Sequence, residues 1–133
     1  MTDHDDQARD HTASRSPRVL VSTTDLAPGP GDRGAVWRLA EPVRDLDSNV
    51  INLPASESID RHPGADVDVL VHVLAGAGTV TTATGDVPVA PGDVVWLPRL
   101  SERGFVAGPD GLRYLTVHQK RHPTLTVQSG RPR

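Results

Sequence analysis

The stretch DVDVLVHVL, residues 66–74, decides the fold because apolar and polar side chains alternate along much of it. Successive side chains of a β-strand point to opposite faces, so residues two apart share a face. One face then carries Val67, Val69, Val71 and Val73. The other carries Asp66, Asp68, Leu70, His72 and Leu74. Because β-branched residues favour pleated strands, the segment predicts a strand whose valine face is turned to a core.

Short apolar runs of the same kind lie on both sides of this segment. They occupy residues 18–22, 35–40, 49–55, 79–84, 87–90, 94–98, 104–108 and 112–118. Turn signals rich in Gly and Pro separate them, at residues 76–78, 85–86, 91–92 and 109–111. About eight to ten short strands with turns every 8–12 residues or so are typical of an all-β sandwich or barrel. No segment shows the apolar period of an amphipathic helix.

The domain organisation follows from length and from the polar ends. The 133 residues suffice for one domain. Residues 1–17 are polar and charged without periodicity, which predicts a disordered tail. The barrel is expected over residues 18–122. Residues 123–133 form a polar C-terminal tail in which LTV, residues 125–127, is a candidate short edge strand.

Composition excludes several classes of function. The chain has no cysteine, which excludes disulfides and thiolate metal sites. Its net charge of −3 argues against nucleic-acid binding, which needs a clustered basic surface. The N-terminal sequence lacks an apolar signal region, and no apolar run approaches the ~20 residues that a membrane span needs. A cytoplasmic protein with neither nucleic-acid nor membrane partners is therefore expected.

Two segments carry a resemblance to a known family. VHVLAGAGTV, residues 71–80, and GDVPVAPGDVVWLP, residues 85–98, together resemble the turn and strand motifs of cupins. The likeness extends over residues 35–120 and is greatest to compact, single-domain cupins of the actinobacterial type. It implies an all-β fold, a single double-stranded β-helix or jelly-roll barrel.

The resemblance also implies where cupin metal ligands would stand, and most of those positions lack a donor. His62 stands at the first motif histidine, but the second falls on Gly64. The motif glutamate falls on Val69, and the histidine of the second motif falls on Arg103. A divalent metal needs several converging N or O donors, and arginine is permanently cationic. The motifs are degenerate, so no cofactor is predicted.

Other side chains keep a metal alternative open. His118 lies on the strand 112–118, on the face that it shares with Tyr114 and Thr116. A divalent metal held by His62, Asp68 and His118 is the alternative, with His72 or Asp66 as further candidates. Against it, a lone histidine on a strand is more often a surface or hydrogen-bonded residue. Asp68 also stands one position from the motif glutamate, and a shift of one residue reverses the face of a strand.

Candidate ligand-binding residues share a predicted position in or near the barrel mouth, a common binding place. They are His62, Arg103, His118, Trp96 and Tyr114. The Arg103 guanidinium is suited to a carboxylate or phosphate, although a solvated arginine is the alternative. Trp96 lines an apolar pocket or fills the core. Tyr114 forms a hydrogen bond inside the barrel or packs there.

Three functional hypotheses remain. The preferred one is a cupin-like barrel that binds a small molecule in its cavity without a standard metal centre. A non-catalytic sensing or interaction module follows, with a homodimer through sheet edges as the partner expected by family analogy. The last is a metal-dependent isomerase, dioxygenase or decarboxylase with a non-standard His/Asp site.

Overall fold

The computed structural model describes residues 16–29 and 31–121, and these residues fold into an antiparallel β structure. The described part has seven strands: β1 (Gly34–Arg38), β2 (Leu46–Leu53), β3 (Ser58–Pro63), β4 (Val69–Thr82), β5 (Gly85–Val89), β6 (Val94–Leu97) and β7 (Glu102–Gln119). A single 3-10 turn, Thr23–Asp25, precedes them. The predicted all-β class is confirmed.

The predicted tails are largely outside the described residues. This holds for most of 1–17 and for all of 123–133, including the candidate strand at 125–127. Within residues 16–29 and 31–121, no helix is long and apolar enough to cross a membrane.

The two longest strands, β4 and β7, form the frame of the barrel. They pair from Val69 opposite His118 to Thr82 opposite Arg103. The pairing continues through a bend, where the register shifts on either side of Gly76. Gly76 has a φ of 73°, and a Cβ built there would lie 2.0 Å from the carbonyl oxygen of Gly111. Only glycine tolerates this conformation and this close approach.

The bend divides the strands between two facing layers. The first half of β4 pairs with β6 and the second half with β5. Likewise β3 pairs with the first half of β7 and β2 with the second, and β1 extends the sheet beyond β2. The rings of Phe105 and Tyr114, one from each half of β7, stack with their centroids 4.5 Å apart. The two halves of β7 therefore face each other across the interior.

The interior is filled by the valine face predicted for residues 66–74. Val69, Val71 and Val73 are buried, whereas Leu70 and His72 between them are exposed. The remaining core comes from the other strands and includes Leu53, Val80, Val89, Leu97, Phe105, Ala107, Leu112 and Tyr114. The face assignment made from alternation is confirmed.

Some of the predicted strands were wrong. Residues 18–22 form no strand, and Val19 and Leu20 are exposed, so that segment has no face to bury. Most of the runs 66–74 and 79–84 lies in one bent strand, β4, and the runs 104–108 and 112–118 both lie in β7. Strand β3 was missed because SIDRHP lacks apolar alternation, and its pairing with β7 holds it in place.

Candidate functional site

A cavity of about 240 Å³ lies inside the barrel between the two layers. Most of its wall is apolar, formed by Ile51, Ala65, Val67, Val69, Val71, Leu97 and Phe105. Its polar wall residues are Asn49, Arg103, Tyr114, Thr116 and His118. Liquid water occupies ~30 Å³ per molecule, so the cavity has the volume of several water molecules. That is enough space for a small organic molecule. An apolar cavity with a few polar groups is the usual form of a small-molecule site.

Strand β7 brings the two basic side chains of the cavity to the same end of the barrel. Arg103 lies near the start of β7 and His118 near its end. The bend around Gly111 lies about midway between them, so the second half of β7 runs back toward the end of the barrel where the first half began. Two residues far apart in sequence thus line one mouth, opposite the glycine bend.

Arg103 is the buried charge of this site, with only 7% of its surface exposed. Its Nη1 donates hydrogen bonds to the carbonyl oxygen of Ser101 at 2.8 Å and to the Ser101 hydroxyl at 3.3 Å. Burial lowers the pKa of the guanidinium, because an apolar environment disfavours the charged form. Throughout residues 16–29 and 31–121, no carboxylate forms an ion pair with it.

The guanidinium occupies space that Gly64 leaves free. A Cβ built on Gly64 would lie 1.6 Å from Nη1 of Arg103 and 2.1 Å from its Cζ. The amide of Gly64 donates a hydrogen bond of 2.9 Å to the Ser101 carbonyl, the oxygen that also accepts from Arg103. Arg103 and Gly64 therefore form a matched pair, an arginine and the glycine that accommodates it.

Tyr114 packs deeper in the cavity, flat against Phe105 at an interplanar angle of 10°. Burial raises the pKa of its hydroxyl above the ordinary value, and the positive charge of Arg33 opposes the effect weakly. The neutral phenol is therefore the stable form at physiological pH, and both rings of the stacked pair line the cavity.

Of the two predicted mouth histidines, the structure places one in the cavity wall. His118 is half-buried there, with Nδ1 2.8 Å from the carbonyl oxygen of Gln119. His62 is exposed on β3, outside the residues that line the cavity, with Nδ1 2.9 Å from the carbonyl oxygen of Asp60. Backbone pairing sets His62 opposite Arg103, but only the Arg103 side chain contributes to the wall.

The remaining candidates lie on the outer surface. Trp96 is 57% exposed and stands beside Leu70 on the outer face of β6 and β4, so it neither lines the cavity nor fills the core. The exposed Asp68 accepts a hydrogen bond of 2.9 Å from the amide of Arg99, and Asp66 lies 3.6 Å from the same arginine's side chain. His72 is also exposed on the outer face.

These positions do not fit a cupin metal centre. His62, Asp68 and His118 do not converge, and no cluster of three or more His, Asp or Glu side chains suited to a metal occurs in the described ranges. In the cavity wall, Val69 offers no donor and Arg103 brings a fixed positive charge. Among the described residues, the wall has one imidazole, from His118, where a divalent ion needs several donors.

Two polar wall residues were not singled out as site residues from the sequence. Asn49 and Thr116 lie directly opposite each other in the pairing of β2 and β7. The signal for Thr116 was present, because it shares a strand face with Tyr114 and His118. For Asn49 the signal was its spacing from Ile51, which put both on one face of the run 49–55.

Comparison with solved structures gives the fold a name. An RmlC-like cupin protein from Desulfovibrio desulfuricans superposes with a TM-score of 0.63 and 16% identity, covering 77% of this chain and 97% of that one. The polyketide cyclase RemF from Streptomyces resistomycificus gives 0.62 and 20%, covering 80% and 82%. The Cnp3 cupin domain of Schizosaccharomyces pombe gives 0.57 and 17%, covering 71% of this chain and 64% of that domain, less than two thirds of its length.

The chain therefore has the cupin fold, as its turn and strand motifs indicated. The sequence matches no protein-family model and no curated protein.

Proposed function

We propose that the protein binds a small organic molecule inside its barrel and does so without a cupin-type metal centre. The observation that carries this proposal is the 240 Å³ cavity between the two layers, with its apolar wall and few polar groups. A shared fold does not fix function, so the cavity of this chain supports the proposal and the activities of its structural neighbours do not.

The chemistry of the wall supports binding over metal catalysis. Arg103 would repel a divalent cation, and Val69 replaces the acidic ligand that the family motif places there. Polar contacts to a ligand are available from Arg103, His118, Asn49 and Thr116. These side chains orient a bound molecule by hydrogen bonds, and the apolar wall excludes water around it.

The test fills the cavity from one strand and uses the neighbouring residue as control. Val69→Phe adds a ring on the inner face of β4, whereas Leu70→Phe adds the same type of ring on the outer face. Ligand-observed NMR with a library of small fragments reads binding directly. We expect the wild-type protein and Leu70→Phe to bind the same fragments and Val69→Phe to lose them.

Circular dichroism checks that each variant is folded, and Val71→Phe, on the same inner face, replaces Val69→Phe if that variant is not. Absence of fragment binding by the wild-type protein would contradict the proposal. So would a folded inner-face variant that keeps the fragments, because binding would then lie elsewhere.

A further inference from the structure

We infer that the ligand is a small carboxylate with a flat apolar body, and that its carboxylate group pairs with Arg103. The inference rests on the proposed function, because it assumes that the barrel cavity is the binding site. It adds the chemical class of the ligand and the residue that selects it.

Arg103 has no counter-ion in the described part of the chain. Arg33, Arg61 and Arg99 lie at the surface, and each has a carboxylate within 4 Å, in Glu57, Glu102 and Asp66 respectively. Arg103, the most deeply buried arginine, has none among the residues that the structure describes, and unlike the half-buried Arg113, which also lacks a carboxylate, it lines the cavity. Buried charges in proteins are normally paired. A charge that lines a cavity without a protein partner is suited to a partner that enters the cavity.

The unused donors of the Arg103 guanidinium have the right geometry for a carboxylate. Nη1 makes both hydrogen bonds to Ser101, which leaves Nε and Nη2 without a partner in the described part of the chain. Neither Nε nor Nη2 of Arg103 is completely enclosed by protein atoms, so a ligand can reach both. One edge of a guanidinium, with Nε and Nη2, matches the two oxygens of a carboxylate.

The Arg103 guanidinium is fixed in place before any ligand binds. Ser101 holds Nη1, and the backbone of Gly64 packs so closely against the group that a Cβ there would overlap it. Pre-organised donors bind more tightly because less side-chain freedom is lost on binding. Gly64 is therefore a positioning residue for Arg103.

The rest of the wall selects the body of the ligand. Phe105 and Tyr114 contribute aromatic rings to the wall, and Val67, Val69 and Leu97 add aliphatic contacts. Such a wall favours a flat, apolar group. Arg103 supplies one permanent positive charge, so a single carboxylate suits the site better than a strongly hydrated phosphate.

The experiment compares benzoate with benzamide, its neutral isostere, in NMR titrations near neutral pH. We expect wild-type protein to prefer benzoate by about tenfold or more, since a charge-assisted hydrogen bond contributes that much. Arg103→Met should abolish the preference while keeping benzamide binding. Gly64→Ala should reduce the preference, and Gly31→Ala, where a Cβ meets open space, should leave it unchanged.

The outcomes separate this inference from the proposed function. Equal binding of both probes by the wild-type protein would overturn the carboxylate assignment, and so would failure of both probes while other fragments still bind. Displacement of benzoate by inorganic phosphate at equal concentration would overturn it too. An unchanged preference in Gly64→Ala would overturn the positioning role. If nothing at all binds in the cavity, the proposed function itself fails.

Discussion

Replacing Arg103 with methionine should stabilise the ligand-free protein, because it removes a buried positive charge. No carboxylate in the part of the chain that the structure describes pairs with this charge. A residue positioned for a ligand at the expense of stability behaves in this way. A residue that serves the fold alone would do the opposite.

The magnitude follows from the partners that Arg103 leaves behind. The Ser101 carbonyl keeps its hydrogen bond from the Gly64 amide at 2.9 Å. The Ser101 hydroxyl keeps its own, donated to the Pro98 carbonyl at 2.6 Å. Loss of the guanidinium contacts costs about 1.5–3 kcal/mol, whereas relief of the buried charge returns several kcal/mol. We expect the free energy of unfolding to rise by roughly 1–2 kcal/mol.

Urea denaturation followed by circular dichroism measures this change. The midpoint should shift to higher urea with an unchanged slope, because the exposed area on unfolding stays the same. Arg61→Met is the matched control, since Arg61 is half-exposed and its pair with Glu102 spans 3.3 Å. It should alter stability by less than about 0.5 kcal/mol. A loss of 1 kcal/mol or more in Arg103→Met would refute the reasoning and make Arg103 a structural residue.

The remaining predictions concern the core and the bend. Burial raises the pKa of Tyr114 above its ordinary value near 10. The urea midpoint should therefore stay constant up to about pH 10 and fall at higher pH, because only the unfolded chain releases the phenolic proton there. The Tyr114→Phe variant should not show this fall. Gly76→Ala should destabilise by at least about 2 kcal/mol, because its Cβ would meet Gly111. Gly92→Ala, also at positive φ but with open space, should cost about half as much in the same urea titration. Equal losses for the two glycines would contradict the close-approach argument.

Local patterns predicted the parts of the fold that depend on one strand. Alternation along residues 66–74 assigned the valine face to the core, and the structure confirms it. In the run 94–98 the pattern was insufficient, because Val94, Val95, Trp96 and Leu97 are all apolar. Without alternation neither face is marked as inner. Leu97 lines the cavity, whereas Trp96 faces outward.

Features that depend on a distant partner were beyond the sequence. The glycines at 76 and 111 have the composition of turns, yet each lies in a strand that keeps its pairing through the bend. These glycines allow the bend because their backbones approach each other closely. A sequence pattern within one strand cannot predict that contact. The packing of the Arg103 guanidinium against Gly64 is likewise a contact between residues distant in sequence. The comparison with the cupin motifs marked both positions as lost metal ligands. The structure was needed to see that Gly64 makes room for the Arg103 side chain.

We propose that the fixed guanidinium of Arg103 occupies this cavity in place of a metal ion. Elemental analysis of untagged protein, after incubation with Mn²⁺, Fe²⁺, Ni²⁺ and Zn²⁺ and removal of excess ion, tests it most directly. A polyhistidine tag must be absent because it would bind metal itself. We expect far less than one metal ion per chain. One tightly held ion per chain that is lost in His118→Ala would contradict it.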